Sequence, residues 1–357
     1  MKKILIANIF GIGDVLNTTP LIGNLKKIYG AKISIDYLCN ARAKPVVENV
    51  PGIDKIFIYE KDDFVNLWKK SKRECLRKIF KLFWGLKEER YDTVLDFTLS
   101  REFGFLFMLS GISRRAGLSY KKRGIFLTHK VPFEAFKDKH VIEYYFDVLR
   151  CLDIRVIENN MCLSPDEKSL AWAENYLKEK HIDNSRFIAI VPGGGASWGA
   201  QAERRRWAPE NFSRVADILS EKKYQIIFIG DTEEQELCTK AANNMKVPVA
   251  FIENALTLKQ YIALLSKSAL VLCNDGGPLH ITTALGVKGV FVFGPVDDKV
   301  YGPYPSSVRH LPVTAIGIKC RPCYYKFRLA ECTVNKKCLT EIRPEQVAEK
   351  CLKLLET

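Results

Sequence analysis

Short apolar runs recur along the chain, each ended by glycine, proline or an acid and followed by a stretch of helical period. In the first half they are Lys3 to Phe10, Ile33 to Cys39, Lys55 to Tyr59 and Thr93 to Phe97. In the second half they are Arg186 to Val191, Gln225 to Ile229, Ala269 to Cys273 and Gly289 to Phe293. Their length and β-branched content predict strands of parallel sheet buried on both faces. Between them, apolar positions three and four apart predict helices over Val15–Tyr29, His140–Leu152, Lys168–His181, Glu210–Ser220 and Pro344–Leu355. Strand and helix alternate in both halves, which predicts an α/β fold. The stretch from Ile154 to Asp166 has no clear period and contains Ser164-Pro165, so it reads as a linker. The pattern therefore predicts two parallel-sheet domains, 1–160 and 161–340, followed by a last helix within 341–357.

The turns carry the candidate chemistry. The run Ala269–Cys273 stops at Asn274-Asp275-Gly276-Gly277, and Pro278 then stands where a helix accepts its first residues. Leu279, Ile281, Ala284 and Leu285 give that helix an apolar stripe. Gly276, Gly277, Asp275 and His280 thus gather at the carboxyl end of a strand, where open α/β sheets bind ligands. Bare N–H groups at a helix start suit a pyrophosphate. An ordinary βαβ turn with a structural histidine accounts for the same residues taken singly. A second glycine-rich turn, Pro192-Gly193-Gly194-Gly195-Ala196-Ser197, lets the backbone approach a phosphate and is followed by Arg204, Arg205, Arg206 and Trp207. Glu234, in the first turn of the helix after Gln225–Ile229, suits either a ribose or the helix dipole. Near the start, Gly11-Ile12-Gly13-Asp14 opens a dinucleotide fingerprint that fails at Leu16 and places Asp14 where a phosphate would sit. Asp14 is then either a helix N-cap or a carboxylate held charged as a general base at the rim of a cleft.

Taken together, these strings resemble glycosyltransferase family 9, the family of lipopolysaccharide heptosyltransferases. Asn-Asp-x-Gly-Pro-x-His from Asn274 to His280, with the helix and the strand ending in Phe293-Gly294-Pro295, carries most of it. Gly13, Asp14, Val15, Leu16, Thr19 and Pro20 match the family's G-D-V-L-x-x-T-P pattern, and Val50-Pro51-Gly52-Ile53-Asp54 its entry to the third strand. Pro192, Gly195, Ala196, Ser197, Arg206 and Trp207 match its P-G-A-S and K-R-W-P elements. Arg205 stands where the family has Lys, and Ala208 is inserted before Pro209. The resemblance implies a GT-B architecture, two Rossmann-like domains facing a cleft, with the terminal helix returning to the first. It implies ADP-L-glycero-D-manno-heptose as donor and the lipopolysaccharide inner core as acceptor. Asp14 would deprotonate the acceptor hydroxyl, with Gly13 and Thr19 on the acceptor side, where the basic charge of Arg114 and Arg115 is also expected to meet an anionic acceptor. Gly195, Ser197, Arg205, Arg206, Glu234, Asp275, Gly276, Gly277 and His280 would hold the donor. Attack opposite the leaving group inverts the anomeric centre. No Asp-x-Asp stands at the end of an assigned strand, so the chemistry is expected to need no metal and no cofactor.

Charge narrows the partners. Among 357 residues, Lys and Arg number 55 against 41 Asp and Glu, a net charge of +14, so the partner is expected to be anionic. No nucleic-acid recognition motif is present, and an anionic, lipid-linked saccharide fits the excess. A non-catalytic nucleotide- or polyanion-binding protein, or a relative using another sugar donor, are the competing readings. No apolar stretch is long enough to span a bilayer, and the first residues read as a strand rather than a signal, which leaves the chain in the cytoplasm. The segment Phe64 to Arg90 interleaves aromatic and basic residues. It is either a crossover helix with solvated charges or a surface that touches the inner membrane from its cytoplasmic face. Four cysteines spaced Cys320-x2-Cys323-x8-Cys332-x5-Cys338 either bind a structural zinc, stay free, or pair; free thiols suit a reducing compartment best.

Overall fold

The computed structural model describes residues 2–183, 186–247, 251–253 and 255–356. The backbone separates into two units, Met1–Cys162 and Leu163–Thr357. The division falls inside the stretch expected to be a linker.

The first unit holds six strands: β1 (Lys3–Ala7), β2 (Ser34–Cys39), β3 (Lys55–Ile58), β4 (Thr93–Asp96), β5 (Arg114–Tyr120) and β6 (His129–Phe133). All pair in parallel, in the order β3-β2-β1-β4-β5-β6. β6 has no counterpart in the sequence reading. It is an edge strand, alternately exposed, and it carries Pro132, whose missing N–H is harmless only at an edge. Leu5, Ala7, Leu38, Val94 and Phe107 form a core on one side of this sheet.

The helix expected over Val15–Tyr29 is two helices, Ile12–Leu16 and Thr19–Tyr29. Pro20 causes the break. It cannot donate to the carbonyl of Leu16, and its ring crowds that carbonyl. The Thr19 hydroxyl donates to the Leu16 carbonyl instead, at 2.8 Å, and accepts from the Cys162 N–H at 3.0 Å. Thr18 serves the Val15 carbonyl at 2.6 Å. Thr19 is buried and fully engaged in this repair, so the acceptor-side role expected of it gives way to a structural one.

Arg114 and Arg115 also move out of the expected site. They open β5, in one row with Thr93 and Val94, the start of β4. That is the amino edge of a parallel sheet, whereas Asp14 follows the carboxyl end of β1. The Arg115 Nε donates to the Phe126 carbonyl at 2.6 Å, and its Nη1 to that of Ile112. The sequence reading assigns no strand here and places the pair by its charge alone.

The crossover from β3 to β4 consists of helices Lys61–Lys70 and Lys72–Glu88. They part at Ser71, which turns extended and accepts the Glu74 N–H at 3.3 Å as an N-cap.

The second unit repeats the plan with β7 (Phe187–Val191), β8 (Gln225–Ile229), β9 (Phe251–Glu253), β10 (Leu270–Asn274), β11 (Gly289–Phe293) and β12 (His310–Thr314). The order is β12-β11-β10-β7-β8-β9, again all parallel. β7, β10 and β11 are buried throughout. The helix Gly277–Ala284 is buried on every side from Leu279 onward rather than along one stripe. A short antiparallel hairpin, Tyr324–Tyr325 with Arg328–Leu329, follows β12.

The terminal helix Pro344–Glu356 follows the last strand of the second unit. Val347, Ala348, Cys351 and Leu354 form its apolar stripe and enter the second unit's core with Phe212, Val215, Leu219 and Leu272. The helix thus takes part in the core of the second unit.

Replacing Thr19 with Val keeps the shape but takes their hydroxyl partner from the Leu16 carbonyl and the Cys162 N–H. Thr19→Val should lower stability by about 1–3 kcal/mol in a urea titration, without changing the affinity for a nucleotide.

Candidate active site

In both sheets the strand order reverses between the first and fourth strands of the unit. Ligands of open α/β folds sit outside the carboxyl ends at such a switch point. In the second unit the adjoining strands are β7 and β10, paired from Leu270 with Ile188 to Cys273 with Val191. Their loops are the two glycine-rich turns singled out above.

Asn274, almost wholly buried, joins these loops. Its amide nitrogen donates to the carbonyls of Pro192 at 2.8 Å and Gly193 at 3.0 Å. Its oxygen accepts the Trp207 N–H at 2.9 Å. The glycines follow from the crowding. At Gly193 a Cβ would lie 2.1 Å from the Glu234 carboxyl carbon. Gly276 has φ +145°, a region closed to other residues, and its virtual Cβ lies 3.6 Å from the Gly195 nitrogen. Gly194 and Gly195 also have positive φ.

Four of the expected donor residues meet here as charged pairs. Arg205 donates to the Asp275 carboxylate, both groups being buried. The Arg205 guanidinium also lies over the Trp198 ring, 4.1 Å from its centroid. Its Nε is buried with no hydrogen-bond partner among the described residues. Arg206 donates to the Gly194 carbonyl at 2.9 Å and reaches Glu234 at 3.4 Å. Glu234 accepts the Gly194 N–H. Burial pushes the Glu234 carboxyl up, and the Gly194 N–H and Arg206 pull it back. Glu234 thus holds the glycine loop, a role the sequence reading, which offers a ribose or the helix dipole, does not name. Gly195 and Gly276 face each other across the two turns. Gly277 and His280 begin the helix that leaves the second turn, with His280 buried. The Ser197 side chain lies outside the described residues.

Sequence pattern missed part of this assembly. Trp198 stacks on Tyr324 of the hairpin at 4.6 Å, and Tyr324 meets Tyr301 edge-on at 5.7 Å. Arg204 donates to the Ala330 carbonyl, and Lys336 pairs with Glu203 at 3.0 Å. The cysteine-bearing tail is therefore seated on the arginine run. Only the density of aromatic residues in Cys323-Tyr324-Tyr325 hinted at packing there. The four cysteines of that tail do not form a metal shell. Cys338 is turned into the apolar core, Cys332 accepts the Lys336 N–H, and Cys323 donates to the Cys320 carbonyl. Among the described residues no three potential ligands are gathered to hold an ion. All eleven cysteines are free.

In the first unit the switch-point strands are β1 and β4, with Ala7 opposite Asp96. Asn8, fully buried, orders the loop after β1. Its amide donates to the Asp14 carbonyl at 3.0 Å and its oxygen accepts the Phe10 N–H at 3.1 Å. Gly11 is the N-cap of the following helix. Asp14 stands in its first turn, where Oδ2 accepts the Gly11 N–H at 3.2 Å. The carboxylate is half-buried and stabilised by the exposed helix N–H groups. Gly13 precedes it in the same turn. Asp96, at the end of β4, is buried. Burial raises its pKa to about 6 against the pull of two hydrogen bonds from Thr98.

Two Rossmann-ordered parallel sheets, each with its candidate chemistry at the switch point, define the GT-B class of glycosyltransferase folds. The model of glycosyltransferase family 9 (heptosyltransferase) matches residues 79–332, and the chain belongs to that family. It is 28% identical over 275 residues to lipooligosaccharide heptosyltransferase 2 of Campylobacter jejuni, covering 75% of this chain and 81% of that one. It is 23% identical over 305 residues to lipopolysaccharide heptosyltransferase 3 of Escherichia coli, covering 83% and 84%. Its fold matches the Escherichia coli ADP-heptose lps heptosyltransferase II at a TM-score of 0.76 and 19% identity, over 100% and 99% of the two chains. A family 9 glycosyltransferase of Veillonella parvula matches at 0.81 and 20% identity, over 99% and 97%. The chain is thus an enzyme of the heptosyltransferase kind.

Two outcomes test this geometry. Gly193→Ala forces the Glu234 carboxylate off Gly194 and should cost about 1–3 kcal/mol of stability by thermal unfolding; removing that carboxylate as well, in Gly193→Ala/Glu234→Gly, should recover part of the loss. Asp96 holds a proton to about pH 6 when folded, but only to its ordinary 3.8 when unfolded. The native state binds the extra proton in that window. Its contribution is therefore complete below about pH 4 and is lost as pH rises through about 6. Asp96→Asn should gain about 3 kcal/mol relative to the parent between pH 4 and pH 7, read by urea unfolding at each pH.

Proposed function

We propose that the chain transfers L-glycero-D-manno-heptose from ADP-heptose to the inner core of lipopolysaccharide, with inversion and without a metal ion. The observation that carries this reading is the pair of glycine loops stapled by Asn274 beside two arginines, a layout suited to a sugar nucleotide's diphosphate. The ADP-heptose named for a full-length fold neighbour supports the donor, and the names of the lipopolysaccharide and lipooligosaccharide relatives support the acceptor.

The chemistry follows from what the groups offer. As the bond from the anomeric carbon to the diphosphate lengthens, negative charge grows on the leaving oxygen. N–H groups at Gly276 and Gly277, at the start of a helix, and the guanidinium of Arg205 or Arg206 meet that charge. His280 adds a hydrogen bond from the first turn of the same helix. The orphaned Nε of Arg205 is the kind of buried donor that a ligand satisfies. Two fixed cations and a helix start do the work that a divalent ion does in metal-dependent transfer. The acceptor hydroxyl must lose its proton as it attacks. Asp14, a half-buried carboxylate at the first unit's switch point, takes it. An acceptor carrying phosphate and carboxylate groups on a lipid anchor would account for the chain's positive charge and place the work at the cytoplasmic face of the inner membrane.

The decisive experiment supplies ADP-heptose with a lipid A–Kdo acceptor and measures both ADP release and sugar transfer. In Asp14→Asn, turnover should fall by about 10²–10⁴-fold, while calorimetry shows ADP binding as in the parent. Equal loss of binding and turnover would assign Asp14 to the donor or to the fold instead. Turnover should also survive an excess of EDTA.

A further inference from the structure

The crossover helices Lys61–Lys70 and Lys72–Glu88 show a surface that the transfer chemistry does not use. A helix that covers a sheet needs one apolar face. The helix Lys72–Glu88 has two. Cys75 and Leu86 are buried, and Leu82 packs inward with them. Leu76, Ile79, Phe80 and Trp84 point to solvent, with Phe80 58% and Trp84 46% exposed. Phe80 and Trp84 stack on each other at 5.6 Å, in the open. Trp68 of the preceding helix is exposed beside Lys72, whose ammonium lies 5.7 Å from its ring centroid. The next helix on that side of the sheet, Arg101–Leu109, shares the same inner cluster through Phe103 and Phe107 and leaves Phe105, Met108 and Leu109 exposed.

Cations frame the outer face. Arg73, Arg77 and Lys81 form a row next to Leu76, Phe80 and Trp84, by the three- and four-residue spacing of a helix. Lys87 sits 5.5 Å from the Trp84 centroid. From Lys69 to Lys81 the only acid is Glu74.

We infer that these paired helices are the surface by which the enzyme rests on an anionic lipid bilayer. Phe80 and Trp84 enter the headgroup region, and Arg73, Arg77 and Lys81 meet lipid phosphates. Aromatic rings with a polar rim of lysine and arginine are the composition of interfacial helices. Apolar burial and attraction to anionic lipid act on the same face, and neither alone holds a protein firmly. Association with a second copy through this face would set like charges against each other. The inference rests on the lipid-linked acceptor proposed above for its purpose, while binding to lipid is measured without any sugar.

The test is flotation of the full chain with vesicles of phosphatidylcholine, with and without phosphatidylglycerol, at low and high salt. The parent should float with the anionic vesicles at low salt and be released by high salt. Arg73→Glu/Arg77→Glu/Lys81→Glu should stay at the bottom. Phe80→Ser/Trp84→Ser should float less and lose the blue shift of tryptophan emission that the parent shows on binding. Both variants should release ADP from ADP-heptose with a delipidated acceptor at the parent's rate, which reports an intact fold. A parent that does not float, or variants that float like it, overturn the proposal. So does a parent dimer that the aromatic variant makes monomeric, or polyanion binding to RNA that the aromatic substitutions leave untouched. Failure of the sugar-transfer reading would appear only in the ADP assay and leave flotation unchanged.

Discussion

A single buried carboxamide at the end of a central strand orders the loops of each unit. When a parallel ladder stops, the next backbone groups lose their partners while still inside the fold. Asparagine offers donors and an acceptor from one short side chain. Asn8 uses them to turn the chain back on Asp14. Asn274 uses them to bind the glycine loop of β7 to the β10 turn and to Trp207. An aspartate at either place would keep the acceptor and lose the donor. The glycines, the arginines and the helix start at Gly277 take their positions from the second of these two residues.

Around that staple the second unit is layered. Glu234 and Arg206 brace the glycine loop from below. Arg205 is fixed by Asp275 on one side and by the Trp198 face on the other. Trp198 in turn bears the Tyr324 ring, which ties the hairpin of the cysteine-bearing tail to the arginine run. Lysine in place of Arg205 would keep the charge but lose the flat surface that stacks on the indole. The departure from the family's usual residue and the aromatic neighbour are thus one feature.

How much of this the sequence reveals depends on where each residue sits. Central strands such as β7, β10 and β11 are legible because both faces are buried, so every position is apolar. Of the unforeseen strands β5, β6, β9 and β12, the last three are sheet edges, and Pro132 and Pro312 interrupt two of those without harm. The break at Pro20 was written in the chain, as was Ser71 followed by Glu74, a capping signal at the split between the crossover helices. Turns rich in glycine were readable because backbone conformation is local. The seat of the tail on Trp198 was not, since it joins segments more than a hundred positions apart. Arg114 and Arg115 misled because charge says nothing about which end of a strand it occupies.

The pairing of Arg205 with Asp275 has a consequence for selectivity. A guanidinium paired at contact range with a carboxylate projects a weakened attraction into the surrounding water. What it retains is direction, a few N–H groups fixed in space and the edge of a stacked plane. For the sugar nucleotide proposed above, this would favour a ligand oriented by both loops over free phosphate, which lacks any second hold.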